Sequence, residues 1–226
     1  MPMIWIIFFG FVILSWIISA SLKNKFKRYS KVPTVGGLTG RDVAEKMLRE
    51  NGIMDVTVIS TAGRLTDNYN PVNKTVNLST DVYNGNSVAA AAVAAHECGH
   101  AIQHATAYRW LNMRSTLVPV VSFASNWIQW VLLAGIILVN TFPYLLLFGI
   151  VLFAMTTLFS FITLPVEINA SKRAIAWLDS SGITTYETLP MAKDALKTAA
   201  YTYIIAALSS LATLLYYVMI FLNRRD

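Results

Sequence analysis

His96-Glu97-Cys98-Gly99-His100 lies within a stretch, Ser87 to Ala107, that reads as one helix. Residues 89–95 are alanine apart from Val93, and alanine is the strongest helix former. Positions four apart on a helix differ by about 40° of rotation, so His96 and His100 face the same way, one turn apart. Two neutral imidazoles at that spacing can hold one zinc ion. Glu97 lies about 100° round the helix from His96. It is off the metal yet within reach of a water beside it, which is where a general base belongs. Cys98, rotated by about 200° from His96, is expected to point away as a buried, inert thiol. The small residues ahead of the motif also let this helix pack closely against a neighbour.

The rest of the chain sets that helix in a membrane protein. Of its 226 residues 55% are hydrophobic and 13% charged, with a mean hydropathy of +0.52. Soluble domains run at about 45–50% apolar and 25% charged. The single cysteine excludes an internal disulfide framework. The net charge of +6 does not point to nucleic acid, because Lys23, Lys25, Lys27, Arg28 and Lys31 cluster directly after an apolar run. Membrane proteins place their cytoplasmic basic residues there. No basic–aromatic interleaving of the kind used on single strands is present.

Four apolar runs are long enough to cross a bilayer: Ile4–Leu22, Leu117–Val139, Tyr144–Leu164 and Ile204–Leu222. Residues 1–3 carry no charged side chain, and the positive cluster follows the first run instead of preceding it. That run is therefore read as an uncleaved anchor, with its N-terminus outside, and not as a signal peptide. The second and third runs are joined only by Asn140-Thr141-Phe142-Pro143, an uncharged hairpin turn. Residues 23–116 hold 12 of the 18 Lys and Arg, and 165–203 hold Lys172, Arg173, Lys193 and Lys197. If all four runs cross, both segments share one side, which the positive-inside rule makes cytoplasmic. Arg224 and Arg225 fall on the other side, against the rule. The expected fold class is an integral membrane α-helical protein of about four transmembrane helices with a small cytoplasmic α+β zincin-like metalloprotease domain. Its organisation is a first helix over 4–22, a cytoplasmic α+β part over 23–116 and a transmembrane hairpin over 117–164. A cytoplasmic helical part over 165–203 and a last transmembrane helix over 204–222 complete it.

Within 23–116, Thr39 to Asp42 can cap a helix running to about Glu50 and closed by Asn51-Gly52. Val56–Ile59 has β-branched character, Asp67–Pro71 reads as a turn, and Thr75–Ser79 alternates like a half-buried strand. A small sheet is thus expected ahead of the motif helix, and strand 75–79 can offer an edge to an extended substrate.

A catalytic zinc usually takes three protein ligands. His104 continues the histidine stripe but lies about 12 Å along the axis from His96, too far to converge on one ion. It is expected to be a surface or supporting residue. The metzincin pattern fails, since position 103 is Gln and position 107 is Ala. Glu167, Asp179, Glu187 and Asp194 are the acidic candidates. Glu167 is best placed, because a hairpin leaving the membrane near Ser115 and returning near Pro165 has neighbouring ends. From Pro165 the chain reads as a helix to about Ser181, with Gly182 as its stop.

The motif His96–His100, the run Leu164-Pro165-Val166-Glu167-Ile168-Asn169-Ala170-Ser171, and the block from Leu65-Thr66-Asp67 to Leu78-Ser79 together resemble the YugP-type membrane zinc metallopeptidases. The resemblance covers nearly the whole chain. More distantly, the chain is similar to HtpX-type and CAAX prenyl endopeptidases, which also place a transmembrane hairpin between the H-E-x-x-H and a Glu ligand. In those families an Asp follows that Glu at the fourth position; here the position is Ser171. The resemblance implies a gluzincin; the expected location is a bacterial cell membrane, multi-pass, with the active site facing the cytoplasm as the Lys and Arg distribution indicates. The resemblance also implies one zinc ion per chain on His96, His100 and Glu167, Glu97 as base, and protein or peptide substrates. Tyr108, Tyr186, Tyr201 and Asn169 are all candidates for an oxyanion donor. Two alternatives stand beside this reading. One is a site-2-type intramembrane protease using Asp179; the other is a scaffold or chaperone that keeps the zinc fold without turnover. The oligomeric state is open.

Overall fold

The computed structural model describes residues 2–63 and 65–223. Helix α1 (Pro2–Tyr29) leads through a short 3-10 turn (Val35–Gly37) to α2 (Gly40–Glu50). Strands β1 (Thr57–Thr61), β2 (Asn68–Asn70) and β3 (Thr75–Ser79) follow, then a single turn of helix, α3 (Thr80–Tyr83). The chain ends in four longer helices, α4 (Val88–Ala105), α5 (Arg109–Ile137), α6 (Pro143–Ser180) and α7 (Leu189–Leu222). Among the described residues, four helices are long and apolar enough to cross a membrane: Trp5–Tyr29, Arg109–Ile137, Pro143–Ser180 and Leu189–Leu222. Each overlaps one of the apolar runs. Helices α6 and α7 extend well beyond theirs, with Ala174, Trp177 and Leu178 of α6 and Ala192 and Leu196 of α7 buried in an apolar core.

The chain divides into two compact units. One holds the beginning of α1 to Ile17, Asn112–Leu164, and α7 from Thr202 onward. Its small core joins Leu132 of α5 to Leu146 and Ile150 of α6, with Leu214, Tyr217 and Val218 of α7 packed against them. Gly135 lets α5 and α6 close up, since a Cβ there would stand 2.7 Å from the Leu146 Cα. Small residues at helix crossings are what allow such approach in an apolar solvent. The Thr157 and Ser210 hydroxyls lie 2.7 Å apart and link α6 to α7. Phe123, Trp127, Trp130 and Phe148 face outward, as a lipid environment permits.

The other unit holds Ile18–Leu111 and Pro165–Tyr201. Helix α2 starts on a capping box in which Thr39 accepts from the Asp42 N–H while the Asp42 carboxylate accepts from Thr39, satisfying two otherwise orphaned donors. Those hydrogen bonds hold the Asp42 carboxyl below its ordinary range. The sheet order is β1-β3-β2, with β1 parallel and β2 antiparallel to β3.

Two expectations are corrected by this sheet. The stretch read as a turn at Asp67–Pro71 contains β2. The turn lies just beyond it, where the Asn70 side chain accepts from the Val72 and Asn73 N–H groups. Asparagine favours turns, but pairing with β3 and the Asn77 amide donating to Asn68 at 2.8 Å hold Asn68–Asn70 extended. Strand β3, expected to offer an edge, is central, with both sides paired.

The core of this unit explains why α4 lacks an amphipathic pattern. Its Ala91, Ala92, Ala94, Ala95, Ala101, Cys98 and Ile102 are buried in one core with residues of α2, the sheet, and Ala174, Trp177 and Leu178 of α6. A helix covered on nearly all sides has no polar face to display. Trp177 donates its indole N–H to Glu50 at 2.7 Å, fastening α6 to α2.

Candidate metal centre

Helix α4 begins where the Ser87 hydroxyl accepts from the Ala90 N–H at 3.2 Å. Its second half carries His96, Glu97 and His100 into the core of the unit. Beside it runs the polar end of α6, held close at one point. A Cβ on Gly99 would stand 2.7 Å from the Ala170 carbonyl oxygen and 3.1 Å from its Cα, so only glycine lets these backbones touch. Gly99→Ala is expected to cost about 1–3 kcal/mol, as overpacking does. It should also weaken metal binding, because it pushes His100 away from Glu167. Thermal unfolding and zinc titration of the purified protein check both effects.

That contact sets three donor atoms around one point. Glu167 Oε2 lies 3.3 Å from His96 Nε2 and 3.6 Å from His100 Nε2. The potential ligand atoms of the three residues all lie within 4.8 Å of one another. Tetrahedral zinc with ligands at about 2.0–2.1 Å places neighbouring donors about 3.3–3.4 Å apart. The separations from Glu167 match that geometry, and two imidazoles with one carboxylate form a donor set typical of catalytic zinc.

The surrounding hydrogen bonds strengthen the fit. His100 Nδ1 is 3.1 Å from Gln103 Oε1. An amide oxygen facing Nδ1 favours the tautomer with the hydrogen on Nδ1, which leaves the Nε2 lone pair toward the carboxylate. Two buried lone pairs 3.6 Å apart call for a cation between them. A proton would answer one ring–carboxylate pair, whereas a metal ion answers all three residues together. The electrostatics point the same way. Burial disfavours a charge on His100, but the Glu167 hydrogen bond and the nearby carboxylates outweigh it and raise its pKa.

Glu97 is buried, and loss of water raises its pKa, partly offset by His96 and His100. It therefore stands within electrostatic reach of the cluster and holds a proton more readily than an exposed carboxylate. Cys98 turns the other way, its Sγ 3.6 Å from the Ala44 carbonyl oxygen, and burial pushes the thiol up and keeps it neutral.

The other candidate ligands lie elsewhere. His104 is exposed, with its Nδ1 2.9 Å from the Tyr69 hydroxyl. Asp179 and Glu187 are exposed, and Asp194 binds Lys25 and Tyr29 at 2.7 Å each. Among the oxyanion candidates, Tyr186 is 96% exposed. Asn169 Oδ1 is engaged by Gln103 and Arg173.

Two residues of the site escaped sequence reasoning: Gly99 and Gln103. Glycine inside a helix is itself a packing signal. Ser171, at the fourth position after Glu167, has its Oγ 3.1 Å from His96 Nδ1. A hydroxyl therefore stands where the distant families place a carboxylate.

Comparison with known proteins agrees with this chemistry. Residues 4–222 match the family described as "Putative neutral zinc metallopeptidase". The chain belongs to that family. It is also 43% identical over 213 residues to the "Putative membrane protease YugP" of Bacillus subtilis (strain 168), covering 94% of each chain. No solved structure shows significant similarity to it. As a member of a zinc metallopeptidase family, with helices able to span a membrane, the chain carries its cluster of His96, His100 and Glu167 in the setting such a site requires.

Proposed function

We propose that this protein is a membrane-embedded zinc endopeptidase that hydrolyses peptide bonds on the cytoplasmic face. The observation that carries the reading is the convergence of two imidazoles and one buried carboxylate, with Glu97 beside them. His96, His100 and Glu167 hold the ion, one per chain. Once bound there, zinc would polarise the scissile carbonyl and bring the pKa of the attacking water to about 7.

The chain's own groups do the rest. Glu97 accepts the proton of the attacking water on its carboxylate and later delivers it to the leaving amine nitrogen. Its burial suits both halves of that task, since a carboxyl with a raised pKa holds the proton until the C–N bond breaks. The family name and the YugP relative support the reaction class. The cytoplasmic orientation rests on the distribution of Lys and Arg along the chain.

An extended peptide would pair with a sheet edge. Because β3 is central, the edges are β1 and β2, and β2 is the one whose Tyr69 bonds to His104 of the motif helix. A mixed peptide library incubated with detergent-solubilised protein tests the proposal. Cleavage that a chelator stops and added zinc restores is the expected result; a zinc-loaded protein that cleaves nothing would favour the scaffold alternative.

A further inference from the structure

We propose that Gln103, fixed by Asn169 and Arg173, is the positioning residue that sets the tautomer of His100 and so tunes the metal affinity of the site. This rests on the reading of His96, His100 and Glu167 as metal ligands.

The argument runs inward from a group whose hydrogen-bonding sense is fixed. Arg173 can only donate, and its Nε lies 2.8 Å from Asn169 Oδ1. That contact orients the Asn169 amide with its oxygen toward Arg173. The same oxygen lies 3.0 Å from Gln103 Nε2, and the Val166 carbonyl oxygen lies 2.8 Å from that nitrogen. Two acceptors on one side of Gln103 fix its amide nitrogen there. Its Oε1 is left facing His100 Nδ1 at 3.1 Å. The oxygen can only accept, so Nδ1 carries the hydrogen and Nε2 presents its lone pair to the ion.

Every link is made by protein groups, so the ring is oriented before any metal arrives. Gln103 is fully buried, out of contact with bulk solvent. The two histidines are treated differently. His96 faces Ser171 Oγ, a hydroxyl that can donate or accept and does not by itself choose a tautomer. His100 is therefore the pre-set ligand of the pair.

The test is zinc affinity by chelator competition, read alongside the thermal midpoint of the metal-free protein. Gln103→Met keeps the length of the side chain and removes the relay. It is expected to weaken zinc binding about 10- to 100-fold, the range for lost partners of metal-bound histidines. Asn169→Leu should weaken binding in the same direction. Asn169→Asp, which keeps an oxygen for both Gln103 and Arg173, should bind zinc as the parent does.

A mere tie between α4 and α6 would lower the metal-free midpoint and leave the affinity of the folded protein unchanged. That outcome for Gln103→Met would overturn the proposal. Should Gln103→Met fail to fold, the Asn169 pair decides, and equal affinities of the Leu and Asp variants would overturn it. A parent that binds no zinc would overturn the peptidase reading itself, which is visible before any variant is compared.

Discussion

Glu97→Gln is expected to stop peptide cleavage while leaving zinc in place. The substitution keeps the shape of the side chain and removes its ability to accept a proton. General-base catalysis contributes about 10²–10⁴ in rate, which corresponds to about 3–5.5 kcal/mol of barrier. The loss should fall on kcat, because Glu97 acts on the proton in flight and not on the bound peptide. The metal should stay, since the three converging atoms belong to His96, His100 and Glu167. Glu97 is buried, so a neutral amide there also spares the desolvation cost of a carboxylate, and the protein should not lose stability. Rate and metal content measured on one preparation separate these effects. Retained turnover in the variant would remove Glu97 from the mechanism.

The second large effect is expected from Glu167→Ala. Glu167 supplies the only carboxylate of the cluster and the only ligand from α6. Loss of a partner behind a metal-bound histidine costs about 10- to 100-fold in affinity. Loss of a ligand itself should cost more than about 100-fold on the same scale. Glu167→Gln separates charge from shape, keeping one oxygen in place without the negative charge, and should fall between the parent and the alanine variant. Zinc titration of all three proteins checks the order. If Asp179→Ala lost zinc while Glu167→Ala kept it, the site-2-type arrangement would replace this one, although Asp179 is exposed and lies outside the cluster.

Much of this could be read in the sequence, for physical reasons that also mark the limit. The alanine run and the spacing of His96 and His100 are local signals, and the helix they specify begins at Val88 on its Ser87 cap. The capping box at Thr39 and Asp42 is equally local. Glu167 was reached by a topological step: a short hairpin must bring its ends together, and the structure sets Glu167 3.3 Å from His96.

Long-range pairing was hidden. Gln103 reads as an ordinary helix residue until α6 supplies Val166 and Asn169, 63 and 66 residues away. Ser171 finds His96 across 75 residues. Strand β2 was obscured by its asparagines, which favour turns in isolation and become strand only against β3. The central place of β3 could not be read either, because alternation reports a half-buried strand but not which neighbours it has. The helix from Pro165 to about Ser181 is legible, but its continuity with the third apolar run is not, nor are the polar starts of α5 and α7, because hydropathy finds where a helix meets lipid, not where its hydrogen bonds stop.

Zinc analysis of the parent protein, purified in detergent under zinc-replete conditions, tests the central claim most directly. About one zinc per chain, removable by a chelator and restored on titration, is the result this account requires of a three-ligand catalytic site. A folded protein that takes up no zinc under those conditions would contradict it, and His96, His100 and Glu167 would then be a buried hydrogen-bonded cluster without a metal.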